Sequence, residues 1–420
     1  MRLFLFEFKK LWSKKDFLLY FTLLICVNLF LLWMNTQPDV NKSAPNAYKQ
    51  LTTDLQYSSE TEKAEYINSQ FEMISAIVKI DNIVKMSKTD LDSAQKLIST
   101  DYKEIFEKYN DIYIAGNYLK YTDSIFTEFN FLNKISMEIE QINNYENFLS
   151  EVQNKALQLS QISIFNKEGS YDSLNIKATA KAYKDISNIK TNYYPQEGLV
   201  TALNFRYSDL VLTMLMILLA SHIVRDEKDS GLLTLIRTSA AGKTKTAVAK
   251  LLTMSVSLLI SVITVYIVNL IYCNATFGLG NLFRSIQSIP YLMRSTLKIN
   301  ILEYLFIFVF TKWIAALICG TWILFCMLIS KRVFIGYFLS LSFPLINLLI
   351  RNAIPATSHL NVIKYANLAS LLTTNEILGS YRNIYWFGKP VQLFWVEIIA
   401  ALIFSVVFIT LFILTFEHFQ

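Results

Sequence analysis

The residue types that carry most enzyme chemistry are sparse in this chain and poorly spaced for it. Its three histidines, His222, His359 and His418, stand far apart in sequence, which does not suggest a metal site. There is no H-E-x-x-H, no G-x-S-x-G and no C-x-x-C, so the usual metallohydrolase, serine-hydrolase and dithiol signatures are missing. Ala241-Gly242-Lys243-Thr244 ends like a phosphate-binding loop. That loop needs a further glycine where this chain has Arg237, and here it follows an apolar run instead of a strand. Cys26, Cys273, Cys319 and Cys326 lie within apolar runs or at their ends, as small hydrophobic residues do. The expectation is a non-enzyme with no metal and no cofactor on this chain.

What remains is charge in unusual places. Lys312 interrupts the apolar run Leu302–Ile329, and Glu397 interrupts Leu393–Phe416. Ionisable groups inside such runs are costly unless they face protein or water. Both are therefore candidates for a translocation pathway, or for pairing with each other. The plainer alternatives are that Lys312 snorkels and Glu397 reaches an interface. The loop RDEKDSGLLTLIRTSAAGKTKTAVAK, residues 225–250, is richer. Arg225, Asp226, Glu227 and Lys228 lead to Gly231, then Leu232, Leu233, Leu235 and Ile236 give a short apolar face, and Arg237 precedes a basic cluster. A short, charged, amphipathic helix between two apolar runs suits docking onto a cytosolic partner. A loop whose basic residues only meet lipid headgroups is the simpler alternative.

The elements that must position these residues follow from composition. The chain has 420 residues, 53% hydrophobic and 17% charged, with a mean hydropathy of +0.35. Soluble domains carry roughly 25% charge, so a soluble enzyme, a disordered chain and a collagen-like fibre are all excluded. The net charge of +6 is unevenly spread: residues 35–205 hold 17 lysines against 23 acidic residues, while the remainder holds 22 basic and 10 acidic ones. An acidic polar block is thus inserted into a basic, apolar frame. Spanning a bilayer takes roughly 20 apolar residues as a helix. Six runs qualify: Phe17–Met34, Leu210–Val224 with Phe205–Asp209 at the interface, Leu251–Cys273, Leu302–Ile329, Val333–Ile350 and Leu393–Phe416.

Basic residues in short loops favour the cytoplasmic side. Arg2, Lys9, Lys10, Lys14 and Lys15, the loop 225–250, and Lys331-Arg332 fall together if both termini are cytoplasmic. The expectation is a multi-pass protein of the cell membrane with residues 35–204 extracellular. Residues 1–16, with Phe4, Phe8, Leu11 and Trp12 on one stripe and Glu7, Lys10 and Lys14 on another, predict an interfacial helix. Residues 17–34 read as a retained first span, because Met34-Asn35-Thr36-Gln37 offers no small-residue cleavage site. In the polar block, residues 35–59 read as irregular. Helices are predicted from Glu60, over Leu91–Tyr109, over Leu119–Phe165 (as one helix or a hairpin), and over Asn175–Lys190. The fold class expected is an all-α membrane protein with six transmembrane helices and a helical extracellular domain between the first two. Residues 205–420 form the rest of the membrane domain.

Glu227-x-x-x-Gly231, followed by Leu235, Arg237-Thr238-Ser239, Gly242-Lys243 and Ala249-Lys250-Leu251, resembles the segment after the second span of ABC-2-type ABC transporter permeases. The chain has Ala240-Ala241 where many members have Pro, and Lys243 where many have Arg. The outer block is similar to the larger loops of Firmicute members. The resemblance implies a permease that pairs with a second permease subunit, as a homo- or heterodimer, and with a separately encoded ATP-binding cassette ATPase carrying the ATP and Mg. No nucleic-acid partner is expected. By the same resemblance, residues 225–246 contain the coupling segment. Glu227 would make a polar contact or helix cap near the ATPase, Gly231 would serve close packing, and Leu232, Leu235 and Ile236 would dock. The implied function is export of an amphipathic peptide, antibiotic or lipid-like substrate. The rivals are a sensor or resistance module that binds extracellular peptides without moving them, and an ion-coupled transporter, whose spans would normally show inverted repeats.

Overall fold

The long apolar runs fold as helices, since backbone removed from water must satisfy its hydrogen bonds internally. The computed structural model describes residues 2–37, 45–87, 102–165, 167, 169–238, 243–355, 364 and 374–418. A short helix α1 (Arg2–Trp12) precedes α2 (Lys15–Asn35). Among the described residues, five helical stretches are long and apolar enough to cross a membrane: Lys15–Asn35, Glu197–Asp229, Lys243–Thr276, Ile301–Ile329 and Leu393–Glu417. The run from Val333 is also helical, to Ala353, with Pro344 inside.

Between the first two stretches lies a helical block, built from α3 (Pro45–Asp54), α4 (Glu60–Ser87), α5 (Lys103–Ala115), α6 (Ile125–Asn143), α7 (Tyr145–Gln161) and α8 (Tyr171–Lys184). Ile67, Ile74 and Ile77 of α4 bury against the stripe Phe131, Leu132, Ile135 and Ile139 of α6. This core needs no disulfide, and all four cysteines are free, with Cys273, Cys319 and Cys326 buried. Three boundaries differ from the sequence reading. Residues 45–54, expected to be irregular, form α3. The stretch 119–165 resolves into α6 and α7, which break at Asn144. The last helix starts earlier, at Tyr171, where the Ser170 hydroxyl accepts from the Ser173 amide as an N-cap. The start of the predicted helix at Leu91 lies outside the described residues; its observed part runs on to Gly116, which takes φ +73°.

The second stretch is a broken rod. Helix α9 (Glu197–Asn204) ends at the extended residue Phe205, and α10 (Arg206–Ala220) passes through a π-helical turn (Ser221–Arg225) into α11 (Asp226–Asp229). Helix α12 (Leu232–Thr238) follows, then α13 (Lys243–Thr276) and α14 (Ile301–Ile329). Asn300 and Glu303 form a capping box at the start of α14. About two-thirds (67%) of the α14 window is buried, against 22% for the α2 window, so α14 is central and α2 peripheral. Gly198 lets α9 approach the end of α13: a Cβ there would stand 2.4 Å from the Gly278 carbonyl oxygen.

A buried polar triad joins three helices. The Asn28 amide donates to Asn269 Oδ1 (2.7 Å), Asn269 donates to Ser208 Oγ (2.9 Å), and Ser208 donates back to Asn28 Oδ1 (2.8 Å). All three side chains are fully buried.

The helical block seats on the α9 end of the frame through a second buried cluster. Lys63 pairs with Glu60 (2.7 Å) and donates to the Tyr193 carbonyl (2.9 Å), while Tyr193 and Gln196 both donate to Glu138. Burial pushes the Glu138 carboxyl above its ordinary range and pulls the neighbouring Arg284 guanidinium down to about 10.

After α15 (Val333–Ala353) and α16 (Thr374–Leu378), a hairpin pairs β1 (Asn383–Trp386) antiparallel with β2 (Lys389–Gln392), which runs without a gap into α17 (Leu393–His418). This is the departure from an all-helical chain. Its Phe387-Gly388 turn, with φ of +46° and +80°, has both central residues left-handed, as a two-residue type I′ turn requires.

Candidate functional site

The residues singled out in 225–237 converge at the end of the bundle where α1, α11, α12 and the bases of α13 and α14 meet. Most of their charge is spent inside the protein. Lys250, fully buried on α13, lies 2.7 Å from Glu227 Oε2 and 3.1 Å from Glu7 Oε2, and donates to the Ile223 carbonyl at 2.9 Å. The other oxygen of Glu227 accepts from Lys10 at 2.5 Å. Lys14 and His222 both reach Asp226, at 2.7 and 2.8 Å. Helix α1 is therefore clamped onto the π-turn and α13 by alternating charges. Trp12 adds a bond from its indole N–H to Ser257 Oγ (3.1 Å) and packs edge-on against Phe17 and Phe21.

Arg225 and Lys228 face the other way, toward the C-terminus of α14. Arg225 donates to the carbonyls of Ser330 (2.9 Å) and Lys331 (3.3 Å) and holds Asp229 (3.0 Å). Lys228 donates to the carbonyls of Leu328 (2.5 Å) and Ser330 (2.7 Å). Cations on the last carbonyls of a helix satisfy orphan acceptors and complement its dipole. The π-turn assists this division of labour, because one extra residue in the turn shifts the helical phase of α11 relative to α10.

Two sequence-based assignments need correction. Glu227 is 2% exposed, and its side chain bonds within this chain, between α1 and α13. It braces α1 against α13. Gly231 is not a close-packing residue either, for a Cβ there would meet nothing within 4 Å. Its φ of +73° explains the glycine, since it turns the chain from α11 into α12. Gly231→Ala is expected to destabilise by on the order of 1–2 kcal/mol, the left-handed cost for an L-residue. Gly231→Asn should melt close to the parent; equal losses for both would point to a packing role after all.

The apolar face of α12 divides. Leu233 is buried, Ile236 is half-buried, and Leu232 and Leu235 are exposed, Leu235 at 68%. Leu232 and Leu235 are three apart and so share a helix face. Arg237 belongs to α12, but its side chain, like Ser239, Ala240, Ala241 and Gly242, lies outside the described residues. Beyond them Thr244 bonds Glu417 of α17, bringing the last helix to the same end.

The two charges inside apolar runs sit elsewhere. Lys312 is buried 2.6 Å from Asp209 of α10, and Tyr266 donates to the same carboxylate oxygen at 3.2 Å. Its ammonium also lies 5.6 Å from the ring centres of Tyr266 and Phe308. Glu397 is 1% exposed on α17, enclosed by protein. Asp209 was missed as a partner because it stands at the start of its run beside Arg206, where an interfacial position accounts for it. A lone acid heading one span and a lone lysine inside another were the available signal.

Among the described residues no group of three or more His, Cys, Asp or Glu side chains is arranged to hold a metal. No family profile matches this chain, and searches of curated proteins and of solved structures find no match either.

Proposed function

We propose that this chain is the permease subunit of an ATP-driven exporter, energised by a separate ATP-binding cassette ATPase that docks on α12. The observation that carries the reading is the pairing of exposed Leu232 and Leu235 with a rigid mount: the same short segment is fixed to α1, α13 and α14 by buried ion pairs and capped carbonyls. A push on α12 would pass through α11 into α1 and two membrane-length helices, α13 and α14. In this reading Val333–Ala353 completes six spans, the α12 end faces the cytoplasm, and the helical block is extracellular. Two permease subunits form the pathway, and Lys312 and Glu397 lie near it. The long apolar spans and scarce polar groups suit an amphipathic or lipid-like substrate.

The test is affinity purification from native membranes in mild detergent, with the co-purifying ATPase identified by mass spectrometry and substrate-stimulated ATP hydrolysis measured. Leu235→Asp is expected to lose at least ten-fold of the bound ATPase while keeping its melting temperature. An ATPase absent from the parent preparation, or retained undiminished by the variant, would rule the reading out.

A further inference from the structure

The β1–β2 hairpin presents a bulky aromatic at a conformational cost. Phe387 takes φ +46°, a position that Gly, Asn or Asp normally fills, and its side chain is 90% exposed. A left-handed aromatic pointing into water would cost strain and hydrophobic exposure together. Tyr385, two residues before it on β1, is exposed as well, and so is Trp395 on the first turn of α17. Arg382 and Lys389, near the two ends of the hairpin, are both exposed cations.

The placement of the hairpin says what meets this surface. Strand β2 enters α17 without a gap, and Leu393 N bonds the Arg382 carbonyl, so the hairpin is fixed to the head of a membrane-length helix. Twenty-five helical residues, Leu393–Glu417, cover about 37 Å, against about 30 Å of hydrocarbon. The helix thus outruns the hydrocarbon, and exposed Trp395 suits its first turn to the headgroup level. The four residues of β2 are roughly 13 Å long and each headgroup layer is roughly 5–8 Å thick, so a hairpin inclined along the bilayer surface keeps its tip at the lipid. On its other side the hairpin is braced by α8: Asn383 Nδ2 bonds Asn175 (2.8 Å), and the Tyr171 and Tyr385 rings meet edge-on at 5.2 Å. Aromatic rings with flanking lysine and arginine are the composition that settles at a bilayer interface.

We propose that the hairpin is a lipid-seated foot: Phe387 enters the phospholipid leaflet at the head of α17, and Arg382 and Lys389 meet headgroup phosphates. The inference rests on membrane embedding alone and is independent of ATP coupling. It makes the hairpin a strut between leaflet and α8, coupling the helical block to the bilayer surface.

The test places 4-trifluoromethylphenylalanine at Phe387 in the full-length protein in phospholipid nanodiscs and follows the fluorine signal. Phospholipid carrying a nitroxide near its headgroup should broaden the signal several-fold, and a water-soluble gadolinium chelate should affect it little. Broadening by the chelate with none from the labelled lipid overturns the proposal, and so does protection from both, the result if a second copy or a peptide covers the tip. Phe387→Gly supplies the second measurement, because glycine takes φ +46° without strain. It should match the parent melting temperature in detergent but gain less stability on transfer into nanodiscs; an equal gain counts against a lipid contact.

Discussion

Replacing Lys250 by methionine is expected to lower the melting temperature of the purified protein by on the order of 10 °C. Lys250 is fully buried between two carboxylates, Glu7 and Glu227, both themselves buried. Removing the cation leaves like charges facing each other without compensation, and breaking a buried pair by deleting one partner costs about 3–5 kcal/mol. Lys10 still reaches Glu227 in the variant, but it is one-third exposed and its bond in the parent is to Glu227 alone of the two acids. Neutralising the stranded acids should therefore recover most of the loss. A Lys250→Met, Glu7→Gln, Glu227→Gln triple variant is expected to melt within a few degrees of the parent, followed by fluorescence-detected size exclusion after heating. A triple variant no better than Lys250→Met would show that the ion pairs are not what holds α1 in place.

The second large effect is expected at Lys312. Lys312→Met leaves Asp209 of α10 with only the Tyr266 hydroxyl in a region built from apolar helices. The penalty should be smaller than at Lys250, because the Asp209 side chain keeps about a quarter of its exposure (26%) and can hydrate. The yield of monodisperse protein is expected to fall several-fold, and Asp209→Asn combined with Lys312→Met should restore it. That double variant also separates structure from transport. Restored yield with ATP-dependent uptake into inverted vesicles intact would mean the pair only ties α14 to α10. Restored yield with uptake abolished would put the pair on the pathway. A double variant no better than Lys312→Met would refute the pairing itself.

The broad architecture was readable because membrane helices announce themselves through length and apolarity, and because Glu60 onward carries a helical period that α4 obeys. What stayed hidden depended on contacts between segments far apart in sequence. Phe17–Met34 and Leu251–Cys273 predicted helices, yet nothing local indicated that Asn28 and Asn269 meet. Glu227 illustrates the same limit. Its charge and position suggested a surface role, while its actual partners lie on α1 and α13, 217 residues before it for Lys10. Gly231 was recognised as special for the wrong reason, since sequence does not distinguish a glycine needed for close approach from one needed for positive φ. The hairpin was missed because Tyr-Trp-Phe-Gly-Lys-Pro is too short for an alternating pattern, and its turn holds Phe where Asn or Gly is the usual signal.

The triad of Asn28, Ser208 and Asn269 has a mechanical consequence. Each member comes from a different helix, and each bond closes on the next, so no one of α2, α10 and α13 can slide past the others without opening two hydrogen bonds in a dry interior. With α1 latched at the opposite end of these helices, the trio behaves as a stator. Any rocking motion is then expected where it meets α14 and α17. The bond between Lys312 and Asp209 crosses that seam inside the apolar region, and with the bonds of Arg225 and Lys228 to the end of α14 it limits how freely the two parts can move.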